Sequence, residues 1–323
     1  MRMESSKLND IIKSSKNILI ISHVNPDGDT LGSMCGLYSA IFENFKKKCD
    51  MLTLSKLPDV YSFMPHYNEI KHLDEIDNSR EYDLVINVDV AAIDRICDGK
   101  ILFDKAKNTV NIDHHKTNNA YGDLNFINPD ASSTGEVLFE LFEQMGWEIN
   151  LDCAICLYTA ILTDTGSFRF DNTKPKTFEC ASKLVELGVN PSDMYKKVYE
   201  SDSKTLVMFQ AYCLSKAKFL NDDKIAYIQV YRKDMEKFSA NEECMEGLTE
   251  KLRAIVTTQI AFVAKEMKSG GTKISMRSKS IDIAEVCSVF NGGGHKFAAG
   301  CTIKAPVEKA CKLLLEEIEK RYR

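Results

Sequence analysis

Six histidines occur in this chain of 323 residues, and four of them stand in company that could do chemistry: His23, His114, His115 and His295. His66 and His72 lack such a context and read as incidental. In His23-Val24-Asn25-Pro26-Asp27-Gly28-Asp29 an imidazole precedes two carboxylates spaced two residues apart. Pro26 and Gly28 supply the sharp turn that lets the three converge. Imidazole and carboxylate without thiolate suit Mn2+, Mg2+, Co2+ or Fe2+ better than structural Zn2+. The same residues also make a good capping turn for a helix beginning at Thr30, because Asn-Pro-Asp-Gly is a turn sequence in its own right. The motif alone leaves both readings open.

The elements that must position these groups decide more. Asn17 to Ser22 is an apolar run that leads into His23, Leu84 to Val88 leads into Asp89, and Thr109 to Ile112 leads into Asp113-His114-His115. Runs of this kind suit strands buried on both faces of a parallel sheet. The apolar segment 155–163, ending at Asp164, is read in the same way, as a fourth strand end. Helical spacing appears between them, from Thr30 to Phe45 and from Gly135 to Met145, the second preceded by the cap candidates Ser132, Ser133 and Thr134. Strands alternating with helices predict an α/β fold with a doubly wound, mainly parallel sheet. Ligands of such sheets collect beyond the carboxyl ends of the strands. Four clusters of acid or imidazole gathered there would be a mass of uncompensated negative charge, and two divalent cations would neutralise it.

The second half of the chain carries a different motif, Phe290-Asn291-Gly292-Gly293-Gly294-His295-Lys296-Phe297-Ala298-Ala299-Gly300. Consecutive glycines let backbone N–H groups approach a phosphate closely. A flexible linker would not continue into His-Lys-Phe-Ala-Ala-Gly, so a glycine-rich turn at 292–294 is expected. Arg277, followed by Ser278, is a candidate bidentate phosphate clamp. Beside the first motifs, Arg95 either reaches a phosphate or pairs with a neighbouring acid. Phe168 and Phe170 either stack on a base or join the core. Cys153 and Cys156 have the C-x-x-C spacing, but their apolar surroundings and the lack of a second pair favour a structural role.

Taken together, Asp113-His114-His115, the His23-to-Asp29 motif and Gly292-Gly293-Gly294-His295 resemble the DHH/DHHA1 phosphoesterase superfamily. Among its members the chain is most similar to the nano-RNase/pAp phosphatase group and its cyclic-di-AMP and pApA phosphodiesterase relatives. The resemblance implies a DHH catalytic domain over 1–190, a linker over 191–209 and a smaller mixed α/β DHHA1 domain over 210–323, with the active site in the cleft between them. It implies one metal at His23 and Asp27, a second at Asp29, His114 and Asp164, and Asp89 bridging both, with Mn2+ the expected ion and Mg2+ or Co2+ the alternatives. Asp113 would orient an imidazole and His115 would face the scissile phosphate or the leaving oxygen. Arg277, Ser278, Gly293, Gly294, His295 and Arg95 would hold the substrate. A homodimer is expected on the same ground.

Composition bounds the partners. The net charge of −5 divides unevenly, with 22 Lys and Arg against 32 Asp and Glu in residues 1–205 and 20 against 15 in residues 206–323. An acidic half suits cations and a basic half suits anions. Long duplex nucleic acid would require a strong positive field that the chain lacks. No apolar stretch reaches the ~20 residues of a membrane span. The polar start MRMESSKLNDIIKSSKN has no signal-peptide core, so a cytoplasmic protein is expected. The expected substrates are RNA of two to five nucleotides, with pAp as a further one. The alternatives are cyclic-di-AMP or pApA as substrate and, in another class, a nucleotide-binding sensor without turnover. The glycine-rich motif argues against an inorganic pyrophosphatase, and the absence of a basic tract argues against a processive exonuclease.

Overall fold

The computed structural model describes residues 2–77 and 80–322. The chain divides into two compact units, Met1–Ser201 and Asp202–Arg323.

The first unit runs α1 (Arg2–Ser14), β1 (Ile18–Ile21), α2 (Gly28–Phe45), β2 (Asp50–Thr53), β3 (Ile70–His72), β4 (Leu84–Val88), α3 (Lys100–Lys105), β5 (Thr109–Asp113), β6 (Leu124–Ile127), α4 (Thr134–Met145), α5 (Leu151–Asp164), α6 (Pro175–Glu186) and α7 (Pro191–Tyr199). Its six strands pair in the order β3-β2-β1-β4-β5-β6, every pairing parallel. Every residue of β1 and β4 is buried, so both faces of the sheet are covered, as their largely apolar runs require. The strand order reverses direction between β1 and β4, which makes their carboxyl ends the crevice where such sheets bind ligands.

The run ending at Asp164 is not a strand. It closes α5, a 14-residue helix capped by Asn150, whose side chain accepts a hydrogen bond from the Cys153 N–H. Its apolar residues continue round the helix because neighbours press on it from several sides. A short buried helix segment cannot be told from a buried strand by its apolar content alone. Glycines make the close approach possible. A Cβ at Gly32 of α2 would lie 2.5 Å from the Cys156 carbonyl oxygen, and one at Gly135 of α4 would lie 2.4 Å from the Ala160 Cβ. Cys153 and Cys156 are free and buried in this helix.

The second unit runs α8 (Lys204–Ser215), β7 (Lys218–Leu220), β8 (Ile225–Val230), α9 (Arg232–Phe238), α10 (Leu248–Arg253), β9 (Ile260–Glu266), β10 (Thr272–Ser278), α11 (Ala284–Ser288), β11 (Gly293–His295), β12 (Ala298–Ile303) and α12 (Val307–Arg321). Its sheet has the order β11-β12-β10-β9-β8-β7, with β8 and β9 parallel and the other pairs antiparallel. The core on one face gathers Phe262, Ile274, Met276, Leu314 and Ile318. Each such aliphatic or aromatic side chain contributes about 1.5–3 kcal/mol when fully buried. The stretch 191–209 is helical on both sides of the division between the units, as α7 and the start of α8.

The glycine-rich segment forms a strand rather than the expected turn. Gly293, Gly294 and His295 pair with Gly300, Ala299 and Ala298 in a hairpin. Gly294 has φ +143°, and a Cβ there would lie 2.5 Å from the Ala298 carbonyl oxygen, so glycine is required on two grounds. Among the described residues, no helix is long and apolar enough to cross a membrane.

Candidate metal centre

Three parallel strands and two helices bring the acidic and imidazole groups of the first unit to one place. β1 delivers His23, and the turn after it ends at Asp27, the N-cap of α2. Asp27 Oδ1 accepts hydrogen bonds from the Thr30 N–H and hydroxyl, both at 3.0 Å. The capping role and the proximity to the other acids therefore coexist in one residue. Asp29 lies in the first turn of α2, Asp89 follows β4, Asp113 ends β5 with His114 and His115 after it, and Asp164 ends α5.

Donor atoms of His23, Asp27 and Asp89 lie within 4.8 Å of one another, as do those of Asp29, His114 and Asp164. Asp89 also joins His114 and His115 in a third such set. Asp89 Oδ2 is 3.5 Å from His23 Nε2, while its Oδ1 is 3.8 Å from His114 Nε2. The carboxylate thus faces both triads with different oxygens. His114 Nε2 is also 3.7 Å from Asp29 Oδ2 and 3.6 Å from Asp164 Oδ2. Among the described residues, no Lys or Arg pairs with Asp27, Asp29, Asp89 or Asp164. Four carboxylates and two imidazoles, half of them buried and no carboxylate paired with a Lys or Arg among the described residues, form an oxygen-rich donor set that fits divalent cations.

The electrostatics record the strain of that arrangement. Burial pushes the Asp29 carboxyl well up, and the Asp89, Asp164 and Asp27 carboxylates add to it. Burial likewise raises Asp164, to about 6, against the pull of His114 and His115 and with Asp89 and Asp27 adding to the rise. Burial would raise Asp89 too, but the neighbouring His23 ring and Thr30 hydroxyl, together with His115 and His114, hold it below the usual value. Backbone donors at the start of α4 partly offset the charge on Asp29. The Thr134 N–H donates to Oδ2 at 2.8 Å and the Gly135 N–H donates to Oδ1 at 3.0 Å, the expected use of a helix N-terminus.

Second partners set the imidazoles. The His23 Nδ1 lies 2.7 Å from the Val24 carbonyl oxygen, a contact that needs a proton on Nδ1 and leaves Nε2 as a lone pair toward the acids. His114 Nδ1 faces the Ala131 carbonyl at 3.4 Å. His115 Nδ1 is 2.7 Å from Asp113 Oδ1, and this hydrogen bond raises the imidazole above its ordinary value despite partial burial. Asp113 is fully buried, and it also accepts from the backbone N–H groups of His114 and His115 and from Asn118 Nδ2. It lies behind the imidazoles, in none of the three sets of clustered donors.

Arg95 is close by, with its guanidinium 3.2 Å from His23 Nδ1. Arg277, Ser278, Gly293, Gly294 and His295 belong to the second unit. Arg277 lies on β10 and pairs with Glu250 at 2.7 Å. Ser278 is buried, and its hydroxyl donates to the Ile281 carbonyl. Gly293, Gly294 and His295 are exposed on β11.

Sequence reasoning passed over Thr30, whose fully buried hydroxyl lies 2.6 Å from Asp89 Oδ2 and 2.7 Å from His23 Nε2. It also took Thr134 only as a cap candidate, although the Thr134 hydroxyl donates to Asp89 Oδ1 at 3.1 Å. The spacing of Thr30, three residues after Asp27, signals a cap and carries no sign of its second contact. Asn118 and Asn172 were likewise invisible as supports, because each reaches the centre from a loop.

Comparison with known proteins identifies the family. Residues 17–161 match the N-terminal domain of the DHH family and residues 222–323 match the DHHA1 domain. The bifunctional oligoribonuclease and PAP phosphatase NrnA of Bacillus subtilis is 30% identical over 88% of this chain and 89% of its own. Its namesake in Thermus thermophilus is 28% identical over 93% and 89%. The crystal structure of an exopolyphosphatase-related protein from Bacteroides fragilis superposes with a TM-score of 0.91, covering 99% of this chain and 96% of that one at 28% identity. With both domains matched and a relative of this similarity spanning nearly its whole length, the chain belongs to the DHH/DHHA1 phosphoesterases, a family of metal-dependent hydrolases.

Proposed function

We propose that the protein hydrolyses RNA of two to five nucleotides to mononucleotides, and pAp to AMP, at a centre of two divalent ions, with Mn2+ the preferred metal. The observation that carries this reading is the paired set of donors around Asp89, with four carboxylates that no Lys or Arg pairs with among the described residues. The oligoribonuclease and PAP phosphatase activities of the Bacillus and Thermus relatives suggest the substrate class.

In this reading His23 and Asp27 hold one ion, Asp29, His114 and Asp164 hold the other, and Asp89 serves both. When bound, the ions lower the pKa of water at the centre and stabilise charge on the phosphoryl oxygens. The chain does the rest. Asp113 fixes the His115 tautomer through Nδ1, which leaves Nε2 free to hydrogen-bond or protonate the departing oxygen, and the raised imidazole keeps that proton available near neutral pH. Arg95, beside His23, takes a phosphate oxygen. In the second unit Arg277 clamps a distal phosphate and Ser278 holds the end of β10 beside it. The exposed segment Gly293, Gly294 and His295 receives the rest of the nucleotide.

Initial rates with Mn2+ on pApA, a five-nucleotide RNA, pAp, cyclic-di-AMP and pyrophosphate test this. Fast cleavage of pApA and the short RNA, with pAp also turned over, is expected. A clear preference for cyclic-di-AMP or pyrophosphate would refute the substrate assignment, and metal-loaded protein that cleaves none of the five would refute hydrolysis itself.

A further inference from the structure

Directly after Asp164 the chain makes a tight loop, 165–173, before α6. Gly166, Ser167 and Phe168 all have positive φ, at +54°, +62° and +62°. Two of these are not glycine, so the surroundings must hold the backbone in place. The hold is visible. The Phe168 N–H donates to the Thr165 hydroxyl, the N–H groups of Arg169 and Phe170 both donate to the Thr165 carbonyl, and Arg169 Nε donates to the Gly166 carbonyl. Asn172 Nδ2 donates to the carbonyl of Asp164 and to that of Ser132, tying the loop to the end of α5 and to the segment that caps α4.

The loop separates its two aromatic residues. Phe168 turns inward, stacked on Phe178 with ring centres 5.4 Å apart and tilted against Tyr158. Phe170 does the opposite. The far edge of its ring rests on Gly166, where a Cβ would lie 2.4–2.7 Å from three ring carbons, and 56% of the residue stays exposed. An exposed phenyl ring held by a pinned backbone costs apolar surface, yet it stands two residues along the chain from its support to Asp164. Two residues span at most ~7 Å, and that support, Asn172, also brings its Nδ2 within 3.4 Å of Asp164 Oδ2.

We propose that Phe170 is a stacking platform for the nucleobase of the nucleotide whose phosphate lies at the acidic centre. The inference rests on the hydrolase reading for the place of that phosphate. An aromatic face accepts any base, because every base has a π-surface, and this suits an enzyme for short RNA of any sequence. The strained turn and the glycine support fix the ring before a ligand arrives, so little order is lost when a base stacks. Arg169 anchors the turn through Gly166, and no carboxylate among the described residues pairs with it.

Calorimetry on the Mn2+-loaded full-length protein tests this with AMP, which has no bond left to cleave at the expected position, and with ribose 5-phosphate, which has no base. Phe170→Leu keeps an apolar side chain and removes the π-face. It should weaken AMP at least about fivefold and leave ribose 5-phosphate unchanged, while Phe170→Trp binds AMP at least as well as the wild type. In turnover of pApA, the Leu variant should raise KM and keep kcat within about twofold. Unchanged AMP affinity in the Leu variant, or equal weakening of both ligands, would overturn the proposal, as would a wild-type protein that binds AMP no better than ribose 5-phosphate. Wild type that cleaves pApA beside a Leu variant of normal AMP affinity would refute the platform alone. Protein that binds AMP through Phe170 and cleaves no phosphoester would refute the hydrolase reading alone.

Discussion

Gly135 couples the packing of the helices to the acidic centre, and a double-mutant cycle can read that coupling. Its N–H holds Asp29 Oδ1, and its Cα faces Ala160 so closely that a Cβ would lie 2.4 Å from the Ala160 methyl. Two methyl carbons normally settle at ~3.5–4.0 Å. Gly135→Ala must therefore push α4 off α5 by more than an ångström, or distort both. Overpacking of this kind costs about 1–3 kcal/mol. Ala160→Gly alone costs about 2 kcal/mol, from the helix preference of Ala over Gly and a small void. Simple addition gives about 4 kcal/mol for the pair. The double variant removes the clashing methyl and fills the space it vacates, so it should lose only about 1–2 kcal/mol, a coupling of ~2 kcal/mol or more. The remaining neighbour, the Leu157 carbonyl at 3.2 Å, needs only a small adjustment. Urea denaturation of chelator-treated protein gives the stabilities, provided the slope with denaturant is constant across the set. Calorimetric titration with Mn2+ should follow the same pattern, weaker by about tenfold in Gly135→Ala and largely recovered in the double variant. A double variant whose loss equals the sum of the singles within about 0.5 kcal/mol would show that the seam does not work this way.

Other perturbations bear on the centre itself. Asp89→Asn should keep the circular dichroism of the wild type while turnover falls below about one part in a hundred, and metal analysis should find fewer ions bound. Asp113→Asn should lower metal affinity or activity about 10–100-fold through loss of imidazole orientation; a variant with wild-type kinetics would remove Asp113 from that role. Glu250→Gln should free Arg277 from its ion pair and lower KM for pApA up to about fivefold, whereas Arg277→Ala should raise it with little change in kcat. Acidity gives a further test. Asp29 and Asp164 bind protons more tightly in the folded, metal-free protein than in the unfolded chain, Asp164 with a folded value of about 6. Metal-free protein should therefore lose stability as pH rises from the ordinary carboxylate range through 6, by about 1–2 kcal/mol for the partly exposed Asp164. Saturating Mn2+ should reverse the slope, because the ion stabilises the ionised carboxylates. Denaturation midpoints at pH 5 and pH 7, with and without metal, would show whether the sign changes.

The parallel sheet was legible because β1, β4 and β5 are short, largely apolar runs that lead into an acid or imidazole, so the strand ends and the candidate donors were announced by the same boundaries. Asp164 was placed at the right end of the wrong element. The residues before it are apolar on all sides of a helix, which erases the period that separates helix from strand. Gly293 and Gly294 were expected in a turn, since glycine signals a turn more often than a strand; pairing with β12 makes a strand of them, and at Gly294 the β12 backbone lies close enough to exclude a side chain. The contacts of Thr30 and Thr134 lay beyond sequence reasoning, because a hydroxyl that caps a helix looks the same whether or not a carboxylate from another strand also reaches it.

Asp27 differs from its partners in one respect that bears on kinetics. His23, Asp29 and Asp89 are buried, while Asp27 is exposed and already ordered by its hydrogen bonds to Thr30. An ion arriving from bulk water would meet a carboxylate already in position, with no loop to arrange first. Shedding of its hydration shell could then proceed one water at a time, from the exposed oxygen toward the buried ones. Under the proposed assignment, Asp27 governs how quickly its ion exchanges with solvent, and the buried His23 and Asp89 govern how long it stays.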